Sequence, residues 1–192
     1  MKIYAIDFDV SDYQDFMFDD EAPEDETLVE KLFEFEFARL PNDWRLPSVF
    51  IPEPKLLKPN FFNVVNAAPN CMIIDEYALD KTLTVLEMSG QLFKFKYKNE
   101  KFTFFRPKHC YDCLDDENTV WKEKRMGIIK HVFNKNRITL THDSPIFTIP
   151  ELNSSTMYLA DGVMSDEEEE FKYCIEKYNL KGLVLQEIWS DE

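Results

Sequence analysis

A chain of 192 residues with 44% hydrophobic and 15% aromatic residues, 17 of them Phe, carries enough apolar area to order a core, which excludes disorder as its dominant state. Its 37 Asp and Glu against 22 Lys and Arg leave a formal net charge of −15 at pH 7, which repels nucleic-acid backbones and anionic lipid surfaces and favours a basic partner. Only four glycines are present, few for a phosphate-cradling loop.

The segment Lys2 to Phe8 is rich in residues that suit a pleated, half-buried surface and predicts an opening strand. Asp7 and Asp9 break its apolar run, so no secretory leader is expected, and no apolar run reaches the ~18 residues of a membrane span. From Asp7 to Glu36 there are thirteen Asp or Glu against one basic residue, Lys31. Such a run belongs in solvent or against a basic partner. Within it, Leu28, Leu32 and Phe35 keep helical spacing while Phe33, Phe35 and Phe37 alternate like a strand.

Six prolines between Pro41 and Pro69 rule out long regular elements and predict a loop-rich stretch with short edge strands. Trp44, Phe50, Phe61 and Phe62 punctuate it, so it is expected to pack on the main body. Asp75 to Met88 predicts a helix with Leu79, Leu83 and Leu86 on one face and Gly90 closing its end. A hairpin follows, with Phe93, Phe95 and Tyr97 alternating with lysines before a turn at Asn99 to Lys101 and a return over Phe102 to Phe105. Further strands are expected over Ile128 to Phe133, Arg137 to Thr141, Pro145 to Ile149 and Met157 to Ala160. Ser165 and Glu168 form a capping box ahead of a helix burying Phe171, Cys174, Ile175 and Tyr178 and ending near Asn179, and Gly182 to Trp189 returns as a strand.

The chemistry-bearing motifs are sparse. His109-Cys110-Tyr111-Asp112-Cys113 has the spacing of half a zinc site, but no second close ligand pair accompanies it, and ordinary reduced thiols in a cytoplasmic setting are the simpler assignment for Cys71, Cys110, Cys113 and Cys174. No G-x-S-x-G, G-x-G-x-x-G or Walker-type loop occurs. Asp7 and Asp9 lack the context of a phosphatase nucleophile pair, and the acidic clusters lack the glycine of a calcium loop.

Asp112-Cys113-Leu114-Asp115 followed by Thr119 and Trp121, then Ser144-Pro145-Ile146-Phe147 with Pro150-Glu151, then the ending Leu180 to Trp189, stand in a suggestive order. Over roughly Ile73 to Trp189 the chain thereby resembles a large family of bacterial immunity proteins from polymorphic toxin systems, in which a D-x-L-D-like turn, an I-F strand and a closing helix with a G-L-led strand recur in that order. The resemblance implies neutralisation of a toxin encoded beside the immunity protein, as in contact-dependent or type VI secretion and interbacterial competition. It leaves the toxin unidentified. Asp112 and Asp115 are expected to cap or turn the backbone rather than touch the toxin.

The expected fold is α+β, a mainly antiparallel sheet with a few packed helices and a Pro-rich N-terminal region. It forms one immunity-type domain over residues 1–192, within which 1–70 is a candidate smaller subdomain. The expected function is stoichiometric occlusion of a basic cognate toxin in the cytoplasm, with no enzymatic activity, cofactor, metal, membrane or direct nucleic-acid partner. The candidate toxin-binding residues are Asp19, Asp20, Glu21, Glu24, Asp25 and Glu26, and Asp166, Glu167, Glu168, Glu169 and Glu170, whose unpaired charge would steer the encounter. The competing readings are an acidic DNA-mimic inhibitor of a nucleic-acid-binding protein and a hydrolase of unknown type.

Overall fold

Ile3, Tyr4 and Ile6 of the opening strand β1 (Lys2–Phe8) are all buried, although they point to opposite faces of the sheet. The cause is its position. In this computed structural model, which describes residues 1–19, 25, 28–30, 32, 40–41, 44–65, 70–151 and 156–191, β1 lies inside a sheet of order β11 (Ile146–Phe147), β12 (Met157–Asp161), β1, β13 (Leu183–Ser190). All three pairings are antiparallel. Tyr4, Ile6, Met157 and Leu159 face one apolar cluster, and Ile3, Tyr158 and Ala160 face another. A strand covered on both faces loses the polar alternation that marks a half-exposed one.

The second sheet has the order β4 (Phe61–Phe62), β6 (Met72–Asp75), β8 (Glu100–Pro107), β7 (Gly90–Tyr97) and is antiparallel throughout. It too is covered on both sides. Met72, Ile74 and Phe105 join the cluster shared with β1, while Ile73, Phe102 and Phe104 meet Phe16, Phe18, Leu32, Leu40 and Trp44. The fold is therefore α+β, with antiparallel sheets whose central strands bury both faces. A small sheet of β3 (Val49–Phe50), β2 (Phe16–Phe18) and β5 (Val64–Val65) and a short pair of β9 (Val120–Trp121) and β10 (Ile128–Lys130) complete the strands.

The short strands between Trp44 and Val65 all lie at sheet edges, where proline costs least. Trp44, Phe61 and Phe62 are buried as expected, but Phe50 is 40% exposed. Trp44 donates its indole N–H to the Leu28 carbonyl at 3.1 Å and packs edge-on to Phe93 at 4.7 Å, which ties this segment to β7. Residues 28–30 are helical; Phe33, Phe35 and Phe37, where helix and strand spacing compete, lie outside the described residues.

Helix α1 (Glu76–Ser89) starts where Asp75 accepts the Ala78 amide at 2.7 Å. Its buried face is Ala78, Thr82, Val85, Leu86 and Ser89; of the predicted leucine stripe, Leu86 is buried and Leu79 packs on the same cluster, but Leu83 is exposed. Small residues let the helix settle close to both sheets, and Thr82 returns its hydroxyl to the Ala78 carbonyl at 2.8 Å. Gly90 stands at the helix end with an extended backbone, φ −156°, and already opens β7. It is needed because a Cβ there would sit 2.3 Å from the Phe105 ring and 2.4 Å from the Arg106 carbonyl oxygen. The hairpin turns one residue earlier than predicted, at Lys98-Asn99, whose φ values of 47° and 73° fit a two-residue primed turn.

The expected strand over Arg137 to Thr141 is instead helix α2 (Lys135–Ile138) running into a 3-10 turn over Thr139–Asp143. Asn134 causes the change by accepting the Asn136 amide at 3.0 Å, and Thr139 and Thr141 return their hydroxyls to the carbonyls of Asn136 and Ile138. The capping box is also displaced. Asp166, not Ser165, accepts the Glu168 amide at 2.9 Å to start a 3-10 turn over Glu167–Glu169, and helix α3 (Phe171–Lys177) begins only after the extended Glu170. Beyond α3, Gly182 at φ 105° is pressed on Phe61, whose carbonyl oxygen would lie 2.0 Å from a Cβ.

Strand β13 then lines up along β1. The register slips between Ile3 and Tyr4, which pair with Trp189 and Glu187, so Ile188 is the extra residue of a bulge. Leu183 and Leu185 pack on the cluster shared by the two sheets, and both Ile188 and Trp189 pack on the opposite one. Truncation after Asn179 removes one of the two neighbours of β1 and is expected to abolish cooperative thermal unfolding by circular dichroism. A truncated chain that still melts in one sharp transition would show β13 to be peripheral.

Candidate partner-binding site

A carboxylate offered to a partner must be exposed and free of internal bonds, and the eleven candidate acids divide on that test. Asp25 fails it. It is 1% exposed, accepts the Ser48 amide at 2.6 Å and pairs with Arg45 at 2.8 Å. Burial raises its pKa, but the Ser48 hydrogen bonds and the Arg45 charge outweigh burial and hold the carboxyl below its ordinary range. Asp25 is therefore an internal anchor that fastens the chain at Ser48. Asp19 is half-buried, and its own amide donates to the carbonyl of Ser48 at 2.9 Å. Asp20, Glu21, Glu24 and Glu26 lie outside the described residues.

In the second group, Asp166 spends its side chain on the 3-10 cap, and Glu168 pairs with Lys177 at 3.1 Å. Glu167 and Glu169 are exposed. Glu170 is 4% exposed and turns its Oε1 back to accept the amides of Val163 and Met164, each at 2.7 Å, and the Gly162 backbone adds a further hydrogen bond to the carboxylate. Burial pushes its pKa up, the backbone hydrogen bonds oppose that, and the charge of Asp161 adds to the rise.

Of these, only Glu167 and Glu170 line a notch of about 390 Å³, together with Asp161, Gly162, Met164, Ser165, Lys172, Tyr173 and Glu176. Four carboxylates and one lysine line it, and Lys2, the cross-strand partner of Asp161, and the N-terminal ammonium also act on Asp161. Lys172 is drawn to Glu176 at 2.9 Å and lies over the Tyr4 ring at 5.6 Å. Burial also raises the Asp161 pKa, with Lys172 opposing it. The end of β12 fixes Asp161, the Gly162 to Ser165 turn is clamped by Glu170, and the first turns of α3 supply Lys172, Tyr173 and Glu176. Sequence reasoning found Glu167 and Glu170 as part of an acidic run, but missed Asp161, Lys172 and Glu176. Only the pairing of β12 with β1 and the packing of α3 bring those three together.

Two other depressions have different chemistry. A shallow groove of about 640 Å³ crosses the outer face of β1 and β13 and includes Lys122, His131 and Tyr158. His131 stacks on Phe133 and lies 3.4 Å from the Tyr158 hydroxyl, and burial lowers its pKa, which favours a neutral imidazole. A cleft of about 400 Å³ beside α1 is bordered by Lys94, Lys96 and Lys101, the last paired with Glu76 at 2.7 Å. Lysines along an edge strand such as β7 also discourage pairing with another chain.

Cys113 is buried with Ile3, Leu114 and Phe133, and burial, with the nearby Glu151 and Asp112 charges adding, pushes its thiol up to about 12. His109 stacks on Tyr111. Asp115 turns the backbone as expected, accepting the Asn118 amide at 3.2 Å, and Asp112 pairs with Arg137 at 2.9 Å. Among the described residues no helix is long and apolar enough to cross a membrane. No family model and no curated protein matches the chain.

Asp25 and Glu170 respond to pH with opposite signs. The lowered pKa of Asp25 means a stabilisation that is complete above the ordinary carboxylate range and lost as pH falls through the lowered value. The raised pKa of Glu170 means a cost at neutral pH, relieved as pH falls from the raised value to the ordinary one. Asp25→Asn is expected to destabilise at pH 7 by about 1–3 kcal/mol, the cost of disturbing a buried charged acceptor, and less in acid. Glu170→Gln keeps an acceptor for the Val163 and Met164 amides and is expected to raise the melting temperature at pH 7, with the gain fading in acid. Melting curves from pH 7 down to pH 4 check both; a reversed order of the two variants at pH 7 contradicts the assignment.

Proposed function

We propose that this chain is a non-enzymatic inhibitor that captures a basic protein in a one-to-one complex, and that the partner is a bacterial toxin. The observation that carries the first part is the notch lined by Asp161, Glu167, Glu170, Glu176 and one lysine, on a chain of net charge −15. Such a surface steers a cationic protein by long-range attraction and repels nucleic acid and anionic lipid. The second part rests on the resemblance to immunity proteins. Its motif residues Leu114, Ile146 and Phe147 are buried and Asp115 turns the backbone, so those motifs support a scaffold. Contact residues that choose one toxin over another then lie elsewhere, which suits a family whose members face different toxins.

Occlusion needs no chemistry from the inhibitor, only complementary charge and an anchored contact. Acids with no internal bond cost little in solvent and accelerate the encounter; those already bonded inside the fold add only to the overall field. The contact is therefore centred on the exposed Glu167 and Glu169, with Asp25 and Glu170, both buried and internally bonded, excluded as contact residues.

The test is co-expression with the toxin encoded beside this chain. Restored growth, a one-to-one complex and an association rate that falls as salt rises are expected. A toxin that kills regardless of this chain, with no complex between the purified proteins, would contradict the proposal.

A further inference from the structure

We infer that two copies of this chain pair edge to edge through β13, joining their four-stranded sheets into one. β13 is an outer strand of its sheet, and its inner side is taken by β1. Just past β1, Asp9 donates its amide to the Gly182 carbonyl at 3.1 Å, in the same register that sets Asp7 opposite Val184 and Ala5 opposite Gln186. Antiparallel bonding alternates, so Val184 and Gln186 bond toward β1 while Leu183, Leu185 and Glu187 turn their amides and carbonyls to the open side. Among the described residues no strand and no backbone hydrogen bond covers that side.

This edge is also unguarded. β7, likewise an edge strand of eight residues, carries the exposed Lys94, Lys96 and Lys98 at its edge, whereas Leu183 to Gln186 holds neither a charge nor a proline. A basic strand is the wrong occupant, because the one carboxylate on β13, Glu187, is already paired with Lys2 at 2.9 Å. A second copy fits. An antiparallel pair centred on Leu185 sets that residue against its own counterpart, Val184 against Gln186 and Leu183 against Glu187, so no like charges meet and the half-exposed Val184 is covered. Every outward amide and carbonyl from Leu183 to Glu187 then gains a partner. The net charge of −15 on each copy opposes the contact, which makes it weak and makes added salt strengthen it. Glu167 and Glu169 lie in the turn before α3 and not on this edge, so the inference goes beyond the toxin reading and leaves one partner bound to each copy.

Sedimentation velocity of the full chain, from about 10 µM to about 1 mM and at low and high salt, tests the pairing. A monomer–dimer equilibrium with a dissociation constant of about 100 µM is expected, since the contact is smaller than a standard interface, and it should tighten about threefold at high salt. Hydrogen exchange should show the Leu185 and Glu187 amides gaining protection as concentration rises. Val184→Lys alters an exposed position beside Asp7 and should weaken the dimer about tenfold, each change counting twice in a symmetric pair; adding Gln186→Glu, opposite that lysine, should restore it to within about threefold. A chain that stays monomeric at about 1 mM in high salt overturns the inference. So does a dimer that Val184→Lys leaves intact and in which the Leu185 and Glu187 amides gain no protection, because its contact then lies elsewhere. Protection of those amides only in a complex with a different protein assigns the edge to that partner and likewise overturns the pairing of copies.

Discussion

The structure depends on the burial of β1 from both sides. One strand of seven residues supplies apolar side chains to two clusters, and its backbone is bonded on both edges by β12 and β13. A buried strand is tolerable only when its amides and carbonyls are paired, and this sandwiching pairs them. The same arrangement recurs in β6 and β8, so three apolar clusters stack across two sheets, with α1 and α3 in the layer between them. Residues near the two ends of the chain meet here, because β13 pairs with β1 and the N-terminal ammonium bonds Asp191 at 3.0 Å.

From that frame follows the disposition of charge. So acidic a chain repels itself, and part of its acid is used to fasten the backbone. Asp25 holds Ser48, Asp75 caps α1, Asp115 makes a turn, and Glu170 clamps the turn that follows β12. The notch is a by-product of the last of these. β12 brings Asp161 to the same corner that Glu170 must enter to reach the Val163 and Met164 amides, and α3 then adds Glu176 and Lys172. Burial raises the cost of ionising Glu170, and the Asp161 charge adds to it.

Legibility in the sequence followed how local each signal was. The strand β1, the hairpin of β7 and β8, helix α1 and the return strand β13 rest on periodicity within a few residues and were readable, as was the α+β class. In the leucine stripe of α1, Leu79 and Leu86 pack on the core, but Leu83 lies outside, because the helix turns Ala78, Thr82 and Ser89 to the sheets instead. Arg137 to Thr141 looked like a strand because threonine favours strands, yet Asn134 and the threonine hydroxyls satisfy a helical backbone there. At the site, the acidic run before α3 was visible, but not that Glu170 turns inward while Glu167 stays out. That choice is made by the Val163 and Met164 amides, which no pattern in the sequence marks. Likewise Asp25, one acid among many, is set apart only by its contact with Ser48 across 23 positions of chain.

The central claim is that the notch is held rigidly because it is built on the end of a strand anchored to β1. Amide hydrogen exchange on the full chain addresses it directly. The amides of Ile3, Ala5 and Ile6 in β1 and of Leu159 and Ala160 in β12 should exchange together and only through global unfolding, with Val163 and Met164 protected beside them by Glu170. Exchange of β12, Val163 and Met164 through local opening, at rates far above those of β1, would contradict the account.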